Sequence, residues 1–320
     1  MFIRMLALAG IFYGICAAAA ASLIAPGTYL VEGESLPNRQ LDGNSVIIVA
    51  PKGLIVFDTG RYKKHAQQLL DFAREQNRPI AAIINSHWHL DHVGGNPLLR
   101  AAFPDVRVYA SSAIDAARKG FLADYRAQLL TDMAGSAKNP EAQESMRAEI
   151  ALIDAGAALG PTDTITSSGQ VNIAGRDLQL HLESHAVTAG DVWVFDPETR
   201  VLLAGGLVTL PAPFFESACP SRWRAALAHL DRAPFDWLVP GLGAPMHKPE
   251  FTAYRKAFSN LLDCAAGNAE TNDCIDGWLS DASAVLHASK DASYARTLVG
   301  YYVNNYLRHP TERIRAFCTN

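Results

Sequence analysis

The chain has no excess of charge of either sign. Its 28 lysines and arginines stand against 32 aspartates and glutamates, a formal net charge of −4. That balance gives no electrostatic grip on nucleic acid. There is no internal apolar run long enough to span a bilayer. There is no Gly-x-Gly-x-x-Gly stretch and no phosphate-cradling loop, so a nucleotide site is not indicated. Internal repeats and low-complexity tracts are absent. Only five cysteines occur in 320 residues, none as Cys-x-x-Cys, which argues against a cysteine-built metal site. What remains is an ordinary globular balance, 49% hydrophobic and 19% charged, long enough for one large domain or two small ones.

The N-terminus reads as a secretory signal over 1–21. Arg4 supplies the positive charge, Met5 to Ala18 the apolar stretch, and Ala19-Ala20-Ala21 before Ser22 a small-residue cleavage site. A retained anchor is the other reading; the shortness of the run favours cleavage. Cys16 follows Ile15, where a lipoprotein signal needs a small residue. The expectation is a mature periplasmic chain without a stable membrane anchor. Cleavage leaves Cys219, Cys264, Cys274 and Cys318, an even number that favours two disulfides in an oxidising compartment. Three pairings are possible. Cys264 with Cys274 is the local choice and leaves Cys219 with Cys318.

Strand patterns cover Gly27 to Glu32, Ser45 to Ala50, Leu54 to Phe57 and Ile80 to Ile84, with helical spacing from Tyr62 to Gln76. Ser112 to Leu159 is almost wholly helical in pattern, with breaks at Gly135 and Pro140. Two hairpins follow, around Gly175-Arg176-Asp177 and Asp196-Pro197, then a helix at Arg222 to Leu230 and a strand at Trp237 to Val239. From about Pro249 the pattern is helical. The alternation implies layered α/β packing.

The densest chemistry lies in Asn85-Ser86-His87-Trp88-His89-Leu90-Asp91-His92-Val93-Gly94-Gly95-Asn96. Four metal-capable side chains fall within six positions, directly after a buried strand. In an extended segment His87 and His89 point the same way and can reach one cation. Imidazoles at this spacing suit zinc first and iron second.

His87-x-His89-x-Asp91-His92 after a strand resembles the signature of the metallo-β-lactamase superfamily. The resemblance implies an αββα sandwich over about 22–260, with 112–159 as a helical insertion near the site and 261–320 as a helical extension. It makes Asp58 the residue that accepts hydrogen bonds from the ligand loop and fixes it. It calls for a third histidine near Glu183-Ser184-His185-Ala186-Val187-Thr188-Ala189-Gly190-Asp191. A gapless comparison puts Val187 at that ligand position. His185, two residues earlier, reaches the same side if the segment is extended. The bridging aspartate of the family falls on Gly206 and its last histidine on Leu242, so both departures strike the second metal. His247 is a distant substitute. His65, His181, His229, His287 and His309 stand alone and read as structural or solvated.

The implied function is an exported hydrolase acting on a small molecule, with one zinc on His87, His89 and His185. Zinc-bound hydroxide attacks a lactam, lactone, ester or thioester carbonyl, and Asp91 and His92 serve catalysis. The rival is a degenerate metal- or ligand-binding protein. An iron enzyme is disfavoured by Gly206. Pro211-Ala212-Pro213-Phe214 and Cys219-Pro220 resemble an exported branch associated with quinoprotein oxidation. Nothing in the sequence sets an oligomeric state.

Overall fold

Continuous β-branched runs pair here in sequence order, as strands buried on both faces do. In a computed structural model, which describes residues 21–34, 40–135, 139–286 and 289–319, two sheets pack face to face between helices. The first sheet has seven strands in chain order: β1 (Ser22–Ala25), β2 (Thr28–Val31), β3 (Ser45–Ala50), β4 (Gly53–Phe57), β5 (Ile80–Ile84), β6 (Arg107–Ala110) and β7 (Asp163–Thr164). The second runs from β8 (Gly169–Ile173) and β9 (Arg176–Glu183) through β10 (Asp191–Asp196) and β11 (Val201–Thr209) to β12 (Trp237–Leu242). The export segment expected over 1–21 lies outside the described residues, except for Ala21. Among the described residues no helix is long and apolar enough to cross a membrane.

Side chains from the facing strands make the central layer, with Ile48, Ile55 and Ile84 of one sheet against Leu180, Val194 and Leu203 of the other. The helices α1 (Lys63–Glu75), α2 (Leu90–Val93) and α3 (Asn96–Ala102) follow β4 and β5. Leu69 and Phe72 of α1 and Leu99 of α3 bury against the outer face of the first sheet. The stretch expected as a helical insertion forms α4 (Ala113–Lys119), α5 (Phe121–Gly135) and α6 (Pro140–Asp154). Its apolar faces close over Trp88, Leu90 and Val93 of the histidine loop. Beyond the second sheet lie α7 (Pro220–Leu230), α8 (Lys248–Ala266), α9 (Thr271–Asp281), α10 (Ser289–Tyr302) and α11 (Glu312–Thr319). Trp223, Tyr254, Phe258 and Trp278 share one core with β10 and β11. The αββα sandwich is therefore the observed architecture. Helix α8 runs through residue 260, where the extension was expected to begin, without a break.

Several boundaries differ from the sequence pattern. Strand β11 passes the glycine pair and continues to Thr209, because its parallel neighbour β12 keeps pairing to Leu242 across irregularities at Gly205. Gly120 separates α4 from α5, a break the periodicity hid. The turn of the first hairpin is Ala174-Gly175, both at positive φ, one residue earlier than expected. That is the backbone of a tight hairpin turn that matches strand twist.

The turn after β9 is closed by Asp191. Its carboxylate accepts from Val187 N–H (2.9 Å), Thr188 N–H (3.0 Å) and Thr188 Oγ1–H (2.8 Å). Both oxygens are used, so an amide in place of the carboxylate sets an NH₂ against an N–H or O–H donor. Asp191→Asn is expected to cost about 1–3 kcal/mol by urea unfolding; a loss of a few tenths would show that the turn does not depend on the charge.

The cysteines pair as the local choice requires: Cys264 with Cys274 (Cα–Cα 5.6 Å) and Cys219 with Cys318 (5.2 Å). These close sequence separations of 10 and 99 residues. Loop entropy assigns about 3 kcal/mol to the short loop and about 5 kcal/mol to the long one. In protein folded under oxidising conditions, Cys318→Ser should therefore lower the unfolding midpoint more than Cys274→Ser. The reverse order would place the stabilisation elsewhere than in the unfolded chain.

Candidate active site

Strands β4 and β5 run parallel with Phe57 opposite Ile84, so their exit loops leave the sheet side by side. Asp58 is fully buried in the first loop, at a left-handed φ of 56°. Its carboxylate accepts from Ser86 N–H (2.7 Å), Ser86 Oγ–H (2.7 Å) and His92 Nδ1 (2.7 Å). Ser86 has one hydroxyl proton and gives it to Asp58. Its contact with His87 Nδ1 (2.8 Å) therefore has the ring as donor, which leaves the Nε2 lone pair of His87 free. The same logic applies to His89. Ser217 Oγ donates to the Val187 carbonyl (3.0 Å), so it accepts from His89 Nε2 (2.9 Å) and leaves Nδ1 with its lone pair.

Burial pushes His87 well below the ordinary imidazole range, and His92 and His89 push the same way. Burial likewise brings His89 down to about 4. Both rings are neutral, the form in which imidazole binds a metal. His92 differs. Burial works against its charge, but Asp91 and Asp58 outweigh that and raise it to about 10. Its Nε2 lies 3.1 Å from Asp91 Oδ2. Asp91, despite its own burial, is held far below the usual carboxylate range by His92 and Arg61. By themselves the side chains of this loop favour two neutral imidazoles, one imidazolium and one carboxylate. The rings are in contact, His87 lying 4.4 Å from His89 and 4.3 Å from His92 by centroids.

Arg61 sits beside this loop, Nη2 3.5 Å from Asp91 and Nη1 2.6 Å from Glu149 of α6. Asp42 accepts from the Arg61 amide and pairs with His65 Nδ1 (3.0 Å), whose Nε2 meets Ser45 Oγ (2.7 Å). This serine–histidine–aspartate order is sealed from substrate, because Ser45 is fully buried. His65 is structural, as expected.

The expected ligands are brought together only in part. His87, His89, Asp91 and His92 line one cavity of about 400 Å³, together with Val187, Gly206 and Leu242. His185 does not line it; its ring packs on Phe317 of α11 at 4.8 Å. The physical reason is backbone: His185 has a φ of 58°, so the segment is not extended and the two-residue rule fails. Val187, the gapless match, is the residue that faces the site. His247 caps α8, bonded to the Asp236 carbonyl (2.8 Å) and stacked on Trp237. Gly206 has no positive φ, but a Cβ there would stand 2.6 Å from His87 Cε1 and 2.8 Å from its Nε2. The His87 ring occupies the space a bridging side chain needs. Neighbouring Gly205 is the strained one: its φ is 52°, and a Cβ there would lie only 2.2 Å from Ser86 Cβ.

Whether these residues suit a metal turns on the donor set. The free lone pairs of His87 and His89 and the ionised Asp91 have the chemistry for one ion. Gly206 and Leu242, which the resemblance sets at positions of a second ion, offer no donor. Among the described residues no three such side chains are grouped around one point, and Asp91 is paired with His92. The set fits one metal if Asp91 turns from His92.

The remaining wall comes from elements no spacing rule connects. Phe121 and Tyr125 enter from α5, Phe214 and Glu216 from the segment before α7, and Tyr294, Tyr301 and Tyr302 from α10. Arg61, Glu149, Glu216 and Ser217 carry no signature in the sequence, and their roles arise only from contact.

Residues 38–264 match the metallo-beta-lactamase superfamily. The chain is 29% identical to a linear primary-alkylsulfatase of a Pseudomonas species over 221 residues, 62% of this chain and 41% of the relative. It is 32% identical over 87 residues to an atrochrysone carboxyl ACP thioesterase of Aspergillus fumigatus, 27% of this chain and 28% of the relative. The chain thus spans less than half the length of these curated relatives. Among solved structures, a metallo-beta-lactamase from Pontibacter korlensis superposes with a TM-score of 0.55 at 20% identity, covering 75% of this chain and 98% of that one. With the family match spanning most of its length and the two-sheet sandwich in place, the chain belongs to the metallo-beta-lactamase superfamily.

Proposed function

We propose that the chain is an exported, zinc-dependent hydrolase with one metal per chain, acting on an ester, thioester, lactone or lactam carbonyl of a small molecule. The observation that carries this reading is the pair of bare nitrogens, His87 Nε2 and His89 Nδ1, beside an ionised Asp91 at one cavity. These three side chains would hold the ion, and His185 drops out of the ligand set. A bound zinc supplies a water acidified towards about pH 7 and polarises a carbonyl. Asp58 keeps His92 oriented, and His92 Nε2–H, in the same cavity lining, would donate to a leaving group. Trp88, Phe121 and Tyr125 line the same cavity and reduce its access to water. A sulfate ester is the less suitable substrate. The one guanidinium in the cavity lining, Arg61, is already paired with Glu149 and Asp91.

The second reading is a binding protein without turnover. It is favoured by Val187, Gly206 and Leu242, three non-ligating residues at three ligand positions of the family. Elemental analysis of protein dialysed against zinc separates the two. One equivalent in the wild type, none in His87→Ala and one in His185→Ala are expected; a metal-free wild type would leave only the binding protein. Val187→His should tighten zinc at least tenfold, because residue 187 faces the site.

Gly206→Asp should not create a second site. The new side chain meets the His87 ring, so this variant is expected to lose about 1–3 kcal/mol of stability and to bind less zinc than the wild type. Two zinc ions per chain in a stable Gly206→Asp variant would contradict the packing described above.

A further inference from the structure

The part of the cavity wall built by the segment before α7 and by α10 carries an acid that the hydrolytic reading does not use. Glu216 lines the cavity and is tethered by Tyr302, whose hydroxyl donates to its Oε1 at 2.5 Å. Burial raises its carboxyl above the ordinary value, and Tyr302 and its own backbone N–H hold it down. No lysine, arginine or histidine forms an ion pair with it among the described residues. Arg313 lines the adjoining cavity of about 370 Å³ that Glu216 also borders. Arg313 is directed to Asp124 at 3.8 Å and lies over the Phe121 ring at 4.6 Å.

Aromatic rings surround this carboxylate. Tyr302 lies 5.2 Å from Tyr301 and 5.9 Å from Phe214 by centroids. Tyr294 and Tyr306 are close enough for the Glu216 charge to raise their hydroxyls further above the usual range. Tyr294 and Tyr301 are 40% and 45% exposed, large rings left open at a cavity rim. An uncompensated carboxylate among aromatic faces is the arrangement that recognises an alkylammonium group, through charge and through the ring quadrupoles. The other charges agree. The guanidinium of the lining, Arg61, is already paired with Glu149 and Asp91, which leaves Glu216 without a cationic partner among the described residues.

We propose that Glu216 and the Phe214, Tyr294, Tyr301 and Tyr302 rings form a recognition site for the cationic ammonium group of the substrate, protonated or quaternary. This rests on the reading that the substrate enters this cavity, and names its class: an ester, thioester or lactam that also carries an amine. Tyr302 is a positioning residue, since it acts by holding Glu216. The ammonium end binds at the tyrosine wall, while the reacting carbonyl faces the histidine loop.

The test is calorimetric binding at pH 8 to the full mature chain, with three probes that share one ring: benzyltrimethylammonium, benzyl alcohol and benzoate. The expected order is the cation tightest and the neutral benzyl alcohol at least tenfold weaker; benzoate reports separately on the metal, which binds carboxylates. Glu216→Gln keeps an acceptor for Tyr302 and removes the charge, so it should weaken the cation at least tenfold and leave benzyl alcohol within twofold. Tyr301→Leu should weaken the cation several-fold through the lost ring face. Benzyl alcohol binding as tightly as the cation, no binding of the cation, or a cation affinity in Glu216→Gln within twofold of the wild type would each overturn the proposal. The probe series on the wild type decides the matter even if Glu216→Gln fails to fold. Zinc stoichiometry is read separately. A normal zinc content with no cation preference sinks only the ammonium site, and cation preference in a zinc-free protein sinks only the hydrolase.

Discussion

The contact between Asp58 and Ser86 organises the whole centre. A fully buried carboxylate is costly unless hydrogen-bond donors compensate it on both oxygens. Asp58 meets that condition by taking the Ser86 amide, the Ser86 hydroxyl and the His92 ring. The consequences run outward along hydrogen bonds. Because Ser86 gives its proton inward, it must accept from His87, and the His87 tautomer is set. Because His92 is anchored through Nδ1, its Nε2 is turned to Asp91. One side chain at the end of β4 thus dictates the protonation pattern of two histidines on another loop.

The site is a family scaffold with its chemistry redistributed. Val187, Gly206 and Leu242, the residues that a gapless comparison sets at ligand positions of the family, all line the cavity. Gly206 is not a simple vacancy: the His87 ring lies against the Gly206 backbone, where a longer side chain has no room. Further polar groups, Glu216 and the tyrosines, come from the segment before α7 and from α10. The disulfide from Cys219 to Cys318 binds that segment to α11, so the covalent frame and the tyrosine wall belong to the same part of the molecule. A fold that hosts many activities is expected to vary in this way, by its loops and appended helices rather than by its sheets.

Several things were legible from residues alone. Most strands of both sheets follow from β-branched runs, though β1 was not among those expected, and the helix after β4 follows from its apolar spacing. His87, His89, Asp91 and His92 were recognisable because all four sit on one short loop, where local spacing is spatial proximity. The disulfide pairing followed from the nearness of Cys264 and Cys274 in sequence. By contrast, Gly120 and the two-residue β7 leave no periodic trace.

The third ligand marks the boundary. Local pattern placed His185 two residues from Val187 and therefore on its side, an inference valid only for extended backbone. Asp191 gathers the Val187 and Thr188 donors into a turn, and His185 takes a left-handed conformation within it. That reversal depends on hydrogen bonds closed in three dimensions. Arg61 and Glu149 are 88 residues apart, and Tyr302 and Glu216 are 86 apart. The sequence by itself determined most of the strands and the histidine loop, because those are set within a few residues. Only the tertiary structure decided which side chains face the cavity and which protons they carry, because both depend on partners distant in sequence.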